Sequence, residues 1–240
     1  LILAIDTSSV SGSIALVEGG RLVSERTVGD AGPHAKWLLG NIADLCQKSD
    51  IGLDKIDVFA VSVGPGSFTG LRIGLTTVKG LAWSVNKPVA GVSTLKALAL
   101  NAPFAGMPVC TILDARKSEV YSALFSFSGG SCETLLRPAA ITPQNLLQRL
   151  EELVPAPTPV LFLGSGLAVY REFIEGSRVG VVVAREPLWH VRASNIAFLA
   201  QNKDCEAVSA INLTPFYLRK SEAELRLKQS VRASLPTKAC

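Results

Sequence analysis

The chain has 240 residues, 48% of them hydrophobic and 18% charged, enough apolar material for one large domain or for two lobes of roughly 100 residues each. No low-complexity block appears, which argues against long disordered stretches. Although the mean hydropathy is +0.33, charges or Gly/Pro interrupt every apolar run well short of the ~18 residues of a membrane span, so a membrane protein is excluded.

The first residues alternate like a strand and lack the basic-then-apolar profile of a secretory leader. Residues 1–5 read as a strand, 6–12 as a polar turn, 13–17 as a second strand, and Gly19-Gly20 turns the chain into a third over 22–26, together a meander. Residues 34–47 then place Trp37, Leu38, Ile42, Leu45 and Cys46 at helical steps. The apolar run 58–63 ends in Gly64-Pro65-Gly66 and leads into a helix that continues to about Val85. A short strand over 88–92 and a helix over 94–101 complete a first α/β layer.

The second half restarts the pattern. Residues 111–114, a turn, a strand over 120–127 and Gly129-Gly130 echo the first hairpin. Asp6 to Gly19 spans 13 positions and Asp114 to Gly129 spans 15. Helix 143–153, strand 160–163, Gly164-Ser165-Gly166 and helix 167–174 follow in the same order. Internal duplication of a strand-Asp-turn-strand unit is the simplest reading; chance likeness of two common hairpins is the alternative. The division expected is an N-terminal lobe over 1–104, a C-terminal lobe over 105–215, and a C-terminal helix and basic tail over 216–240, with the helix at 221–229 packing back on the first lobe.

The net charge of +4 resides in that tail, where six Lys/Arg from Arg219 onward face Glu222 and Glu224, so that residues 1–218 balance. Such a tail is either a solvated face or a contact for nucleic-acid phosphates. Five cysteines are an odd number without a C-x-x-C pair. They suit a reducing compartment, with Cys46 and Cys110 as buried apolar residues and Cys240 as a terminal thiol.

The Gly64-Pro65-Gly66 loop allows a sharp strand-to-helix turn, and Ser67 or Thr69 can cap the helix. A helix N-terminus with free amides is also an anion site, so two readings of this loop stand side by side, a capped structural turn and a phosphate cradle. Asp6, Thr7, Ser8, Gly64, Gly66 and Ser67 are the candidate nucleotide or phosphate contacts. Within the helix, Gly70 and Gly74 lie one turn apart. Helical glycine costs ~1 kcal/mol relative to alanine, so something must pack closely there, either the sheet beneath or a helix from another chain.

Two lobes that each open with a strand-Asp-turn-strand hairpin resemble the actin/hexokinase/heat-shock-ATPase (ASKHA) superfamily. The more specific match is Ser62-Val63-Gly64-Pro65-Gly66-Ser67-Phe68-Thr69-Gly70-Leu71-Arg72, with Lys79-Gly80-Leu81-Ala82. Asp6-Thr7-Ser8-Ser9, His34, Asp114-Ala115-Arg116 and the run from Pro215 to Glu224 support it. These segments are similar to the TsaB (YeaZ) branch of the TsaB/TsaD family, a glycoprotease-like branch of that superfamily.

The resemblance implies a fold of two duplicated actin/ribonuclease-H-like lobes, mixed sheets flanked by helices. It implies a non-catalytic cytoplasmic subunit that dimerises with TsaD, works with the small ATPase TsaE, and supports transfer of threonylcarbamoyl from its adenylate to N6 of adenosine in tRNA. By the same resemblance ATP and metal belong to the partners, tRNA is met through the complex, and the isolated chain forms a homodimer. Trp37, Leu38, Leu71, Gly74, Leu75 and Val78 are the partner-face candidates, with burial in the chain's own core as the alternative reading of the same residues. Where TsaD carries its metal-binding H-x-x-x-H pair, this chain has Thr94 and Leu98, and its two histidines, His34 and His190, lie far apart in sequence. The competing function is an ASKHA ATPase or phosphotransferase working from Asp6. A protease is disfavoured, because the sequence displays neither a metal pair nor a Ser/Cys-His-Asp arrangement.

Overall fold

The computed structural model describes residues 1–29, 32–201 and 207–219. The first strand, β1 (Ile2–Asp6), is buried at all five positions, as a strand covered on both faces must be. It pairs antiparallel with β2 (Gly12–Glu18), which pairs with β3 (Arg21–Val28), and runs parallel to β4 (Val58–Gly64). Beyond β4 lies β5 (Val89–Ser93), also parallel. The helices are α1 (His34–Lys48), α2 (Phe68–Ser84) and the short α3 (Thr94–Ala99).

The second sheet repeats this wiring. Its strands are β6 (Val109–Arg116), β7 (Glu119–Ser128), β8 (Ser131–Ile141), β9 (Val160–Leu163) and β10 (Val181–Val183). Its order is β10-β9-β6-β7-β8, and the first sheet reads β5-β4-β1-β2-β3 inside an added edge strand, β11 (Ala207–Val208). Each meander is antiparallel and each crossover parallel in both lobes. The duplication expected from the hairpins therefore extends to five strands. The strand β8, half-exposed along most of its length, has no apolar run and was not anticipated; it is the counterpart of β3.

The sheets stack with helices between and outside them. Leu3, Ile5, Phe59 and Val61 face α1 and α2. Ile2, Ala4, Ala15 and Ala60 face a middle layer made of α3 and α6 (Ala193–Ala200), which also receives Leu113, Ala123 and Phe125 of the second sheet. Outside that sheet, α4 (Pro143–Leu153) and α5 (Leu167–Glu175) pack on Cys110, Ile112 and Leu124. Burial pushes the Cys110 thiol up to about 12, as an apolar site does to any thiolate.

The lobe boundary differs from the sequence expectation. Residues 193–200 and 207–213 return to the first sheet, because α6 is apolar on almost every side and can be covered only between two sheets, and β11 adds antiparallel to β5. Glu25 of β3 takes hydrogen bonds from Ser194 N (2.9 Å) and Ser194 Oγ (2.7 Å) and pairs with Arg192, so a carboxylate from another element caps α6. The expected helix at 221–229, Cys205 and Cys240 lie outside the described residues.

Candidate functional site

The parallel strands of both sheets end on the side where the two Asp-bearing turns lie. In the first lobe, Asp6 closes β1. Its Oδ1 accepts hydrogen bonds from Ser62 Oγ (2.5 Å) and Ser8 N (3.3 Å), while Oδ2 has no partner among the described residues. The residue is 1% exposed. Burial raises its pKa above the usual carboxylate range, and the bonds from Ser62 and Ser8 and the nearby His34 oppose that rise.

The rest of the turn is locked by its neighbours. Ser67 caps α2 by accepting from Gly70 N (3.2 Å), as its sequence position implies, and its own N–H donates to Ser8 O (2.7 Å). Thr7 Oγ1 donates to Gly70 O (2.8 Å). A methyl group at Gly66 would overlap the Ser8 carbonyl, at Gly70 the Thr7 carbonyl, and at Gly74 the Thr7 hydroxyl. Gly70 and Gly74 of α2 thus have their close-packing partner inside this chain, and it is the turn following β1. His34 Nε2 meets Ser9 O (2.7 Å). His190 Nδ1 meets Ser11 Oγ (3.0 Å) and its Nε2 meets Glu186 Oε1 (2.8 Å).

A Ser11-His190-Glu186 chain of hydrogen bonds was invisible in the sequence because 179 positions separate its first two members. Its polarity is wrong for nucleophilic chemistry. Ser11 is 5% exposed and Glu186 is 64% exposed, whereas a triad needs the nucleophile open and the carboxylate sheltered. It is a latch between the first turn and the end of the second lobe.

In the second lobe Asp114 makes the same local turn, accepting from Arg116 N (2.9 Å). Here the carboxylate is open: its side chain is 23% exposed and lies 3.6 Å from the Arg116 guanidinium. Arg116, Lys117 and Ser118 have φ of +62°, +54° and +60°, three consecutive left-handed residues without a glycine, each costing roughly 1–2 kcal/mol. The different exposure follows from where the glycine loop docks. Gly64 and Gly164 share φ near +125° (+126° and +124°). The first loop continues past Asp6 to bond Ser8, but the second stops short, with Gly166 N bonding Ile112 O (3.1 Å).

The C-terminal ends of β4 and β5 are covered by residues 213–219. Phe216 N bonds Val63 O (2.8 Å), the Phe216 carbonyl lies against Gly64, and Leu213 lies against Gly91. The Tyr217 ring stacks on Phe68 with centroids 4.2 Å apart. The Arg72 guanidinium lies 5.4 Å and 5.9 Å from those two rings, and its Nε donates to Tyr217 OH (3.1 Å). Arg219 then reaches the second lobe, donating to Glu119 (3.2 Å). Ligands of open α/β sheets bind outside these strand ends; here the chain's own strap sits there.

The expected site residues are accordingly redistributed. Asp6, Thr7, Ser8, Gly64, Gly66 and Ser67 do converge on one turn, in which Asp6, Thr7, Ser8 and Gly64 are buried, Gly66 is half-buried and Ser67 is exposed. The partner-face assignment is corrected. Leu38, Leu71, Gly74, Leu75 and Val78 are buried by their own chain and Trp37 is half-buried against Gly12, because they are the inward faces of α1 and α2. Those helices instead turn Leu39 (58% exposed) and Trp83 (79% exposed) outward. Thr94 and Leu98 are both 0% exposed within the middle layer.

Comparison with known proteins accords with this geometry. The sequence model of the TsaD family, described as tRNA N6-adenosine threonylcarbamoyltransferase, matches residues 30–227. The tRNA threonylcarbamoyladenosine biosynthesis protein TsaB of Bacillus subtilis is 33% identical over 95% of this chain and 98% of its own. The TsaB of Haemophilus influenzae is 28% identical over 91% and 93%. The solved structure of YeaZ from Pseudomonas aeruginosa superposes with a TM-score of 0.73 at 30% identity, covering 90% of this chain and 99% of that one.

Proposed function

The chain belongs to the TsaB branch of the TsaB/TsaD family, and from that premise we propose that it is the non-catalytic subunit of a machinery that places threonylcarbamoyl on N6 of adenosine in tRNA. In this reading it pairs with TsaD, meets TsaE in the same assembly, and leaves ATP and metal chemistry to those partners. Its contribution is to hold the transferase in its productive state.

The observation that carries the reading is the sealed turn around Asp6. A nucleotide-using ASKHA site needs its first aspartate open to phosphate-bound metal and water. Here the α2 glycines press on that turn, and Asp6 is 1% exposed. The competing ATPase reading requires the Gly66 loop and α2 to withdraw together, with loss of the Ser67-Ser8 and Thr7-Gly70 hydrogen bonds. The partner face we assign to the outward side of α1 and α2, around Leu39, Gly40, Ala43 and Trp83, which are all exposed. Large apolar side chains at the surface of paired helices suit a protein interface.

The test is threonylcarbamoylation of tRNA in a mixture of ATP, threonine, bicarbonate, the adenylate-forming enzyme, TsaD and TsaE, with and without this chain. Modification that depends on the chain supports the subunit role. Equal modification without it refutes that role.

A further inference from the structure

We propose that the Phe68-Arg72-Tyr217 cluster and the Arg116-Lys117 turn form one surface that contacts single-stranded RNA. The inference rests on the functional reading above and goes beyond it by giving this subunit its own share of the nucleic acid.

The two clusters are physically continuous. Tyr217 and Arg219 are two positions apart on the strap, about 7 Å of extended chain. Arg219 bonds Glu119 at 3.2 Å, and Glu119 is the register partner of Arg116 across the hairpin. The surface therefore carries Arg72, Arg116, Lys117 and Arg219 against two carboxylates, Asp114 and Glu119. Of that excess of two positive charges, one is Arg219 at the start of the basic C-terminal segment and the other arises within residues 1–218, which sum to zero.

Its chemistry has both components that unpaired RNA requires. Cations offer phosphate contacts whose strength falls with salt. Stacked aromatic rings capped by a guanidinium offer a surface on which an unstacked base continues the stack. The rings are already parallel within 12°, and Phe216 beside them is 47% exposed, so little ordering remains to be done on binding. The left-handed run at 116–118 is the kind of backbone strain that persists where it aims side chains for a purpose. It carries Arg116 and Lys117 outward; the Arg116 side chain is 85% exposed. A duplex is a poorer fit, since a flat stack has nothing to receive from paired bases. An acidic protein segment would use the cations but not the rings.

The experiment measures binding of a fluorescently labelled tRNA anticodon stem-loop to the full chain by anisotropy across a salt series. Asn tolerates positive φ, so the double variant Arg116→Asn/Lys117→Asn removes charge without disturbing the turn. It should weaken binding several-fold and lower the log-log salt slope by about 1.4, for two single-strand phosphate contacts at ~0.7 each. Arg72→Gln should weaken binding by a similar factor. Arg72→Lys should restore the salt slope but not the full affinity, because ammonium does not stack. The control Arg149→Asn, on α4, should change nothing. Unchanged affinity and slope in the turn variant overturn the proposal, as does a loss confined to binding of an acidic partner protein. If tRNA modification still needs the chain while RNA binding ignores these residues, only this inference fails. If modification does not need the chain, the functional reading fails first.

Discussion

The two Asp-bearing turns are built on the same strand order and the same local hydrogen bond, yet one is sealed and the other open. Asp6 N-to-C neighbours are pinned from α1, α2, β4 and the end of the second lobe, while the Asp114 carboxylate is held by its own turn and Arg116. The difference comes from a small displacement. One glycine loop docks two residues after its aspartate and the other two residues before. Duplication thus preserved the backbone wiring, and loop docking decided which carboxylate meets solvent.

The shared part of the comparison should break most severely. Alanine at Gly64 or Gly164 must adopt φ near +125° and overlap a carbonyl, of Phe216 or of Ile112. Each substitution should cost roughly 3 kcal/mol or more in urea unfolding, with both lobes equally sensitive. Next comes a position where the lobes should differ. Gly70→Ala forces a methyl onto the Thr7 carbonyl and should cost about 1–3 kcal/mol, whereas Ala168→Val, at an exposed position of α5, should stay within about 0.5 kcal/mol.

The pH response sharpens the contrast further. Because burial raises the Asp6 pKa in the folded state, the folded chain binds that proton more tightly than the unfolded chain does. Its contribution is fully present below the ordinary carboxylate pKa and is lost as pH rises through the raised one. Asp6→Asn keeps an acceptor for Ser62 and Ser8 but cannot ionise, so the stability of wild type relative to this variant should fall as pH rises from the ordinary carboxylate range. A thermal-melt series for the two proteins reads that difference. The smallest effect is expected in the open turn: Lys117→Gly relieves a left-handed residue and should be neutral or stabilising by up to about 1 kcal/mol.

Much of the architecture was legible because apolar runs, Gly-Gly turns and Asp positions recur in the same order in both halves. Elements that depend on distant partners were not. The strand β8 alternates weakly because both its faces are half-exposed, and α6 belongs to the first sheet only because two sheets enclose it. At the site, the cap of α2 is a local feature, and the sequence narrowed it to Ser67 or Thr69, of which Ser67 is the one used. Whether Gly70 and Gly74 faced another chain or their own could not be read from spacing, since either partner demands the same absence of side chains. The same limit applied to Leu71, Leu75 and Val78, whose helical stripe fits a core and an interface equally. His190 and Ser11 carry no pattern that joins them, so that latch emerges only from the packed molecule.

The central claim, that this chain supports transfer without performing chemistry at Asp6, is tested most directly by the Asp6→Asn protein in the reconstituted tRNA-modification assay. The account predicts the same amount of threonylcarbamoyladenosine as with wild type, provided the variant folds and binds TsaD. Loss of modification by a folded, TsaD-bound Asp6→Asn chain would contradict it and move catalysis back to the first turn.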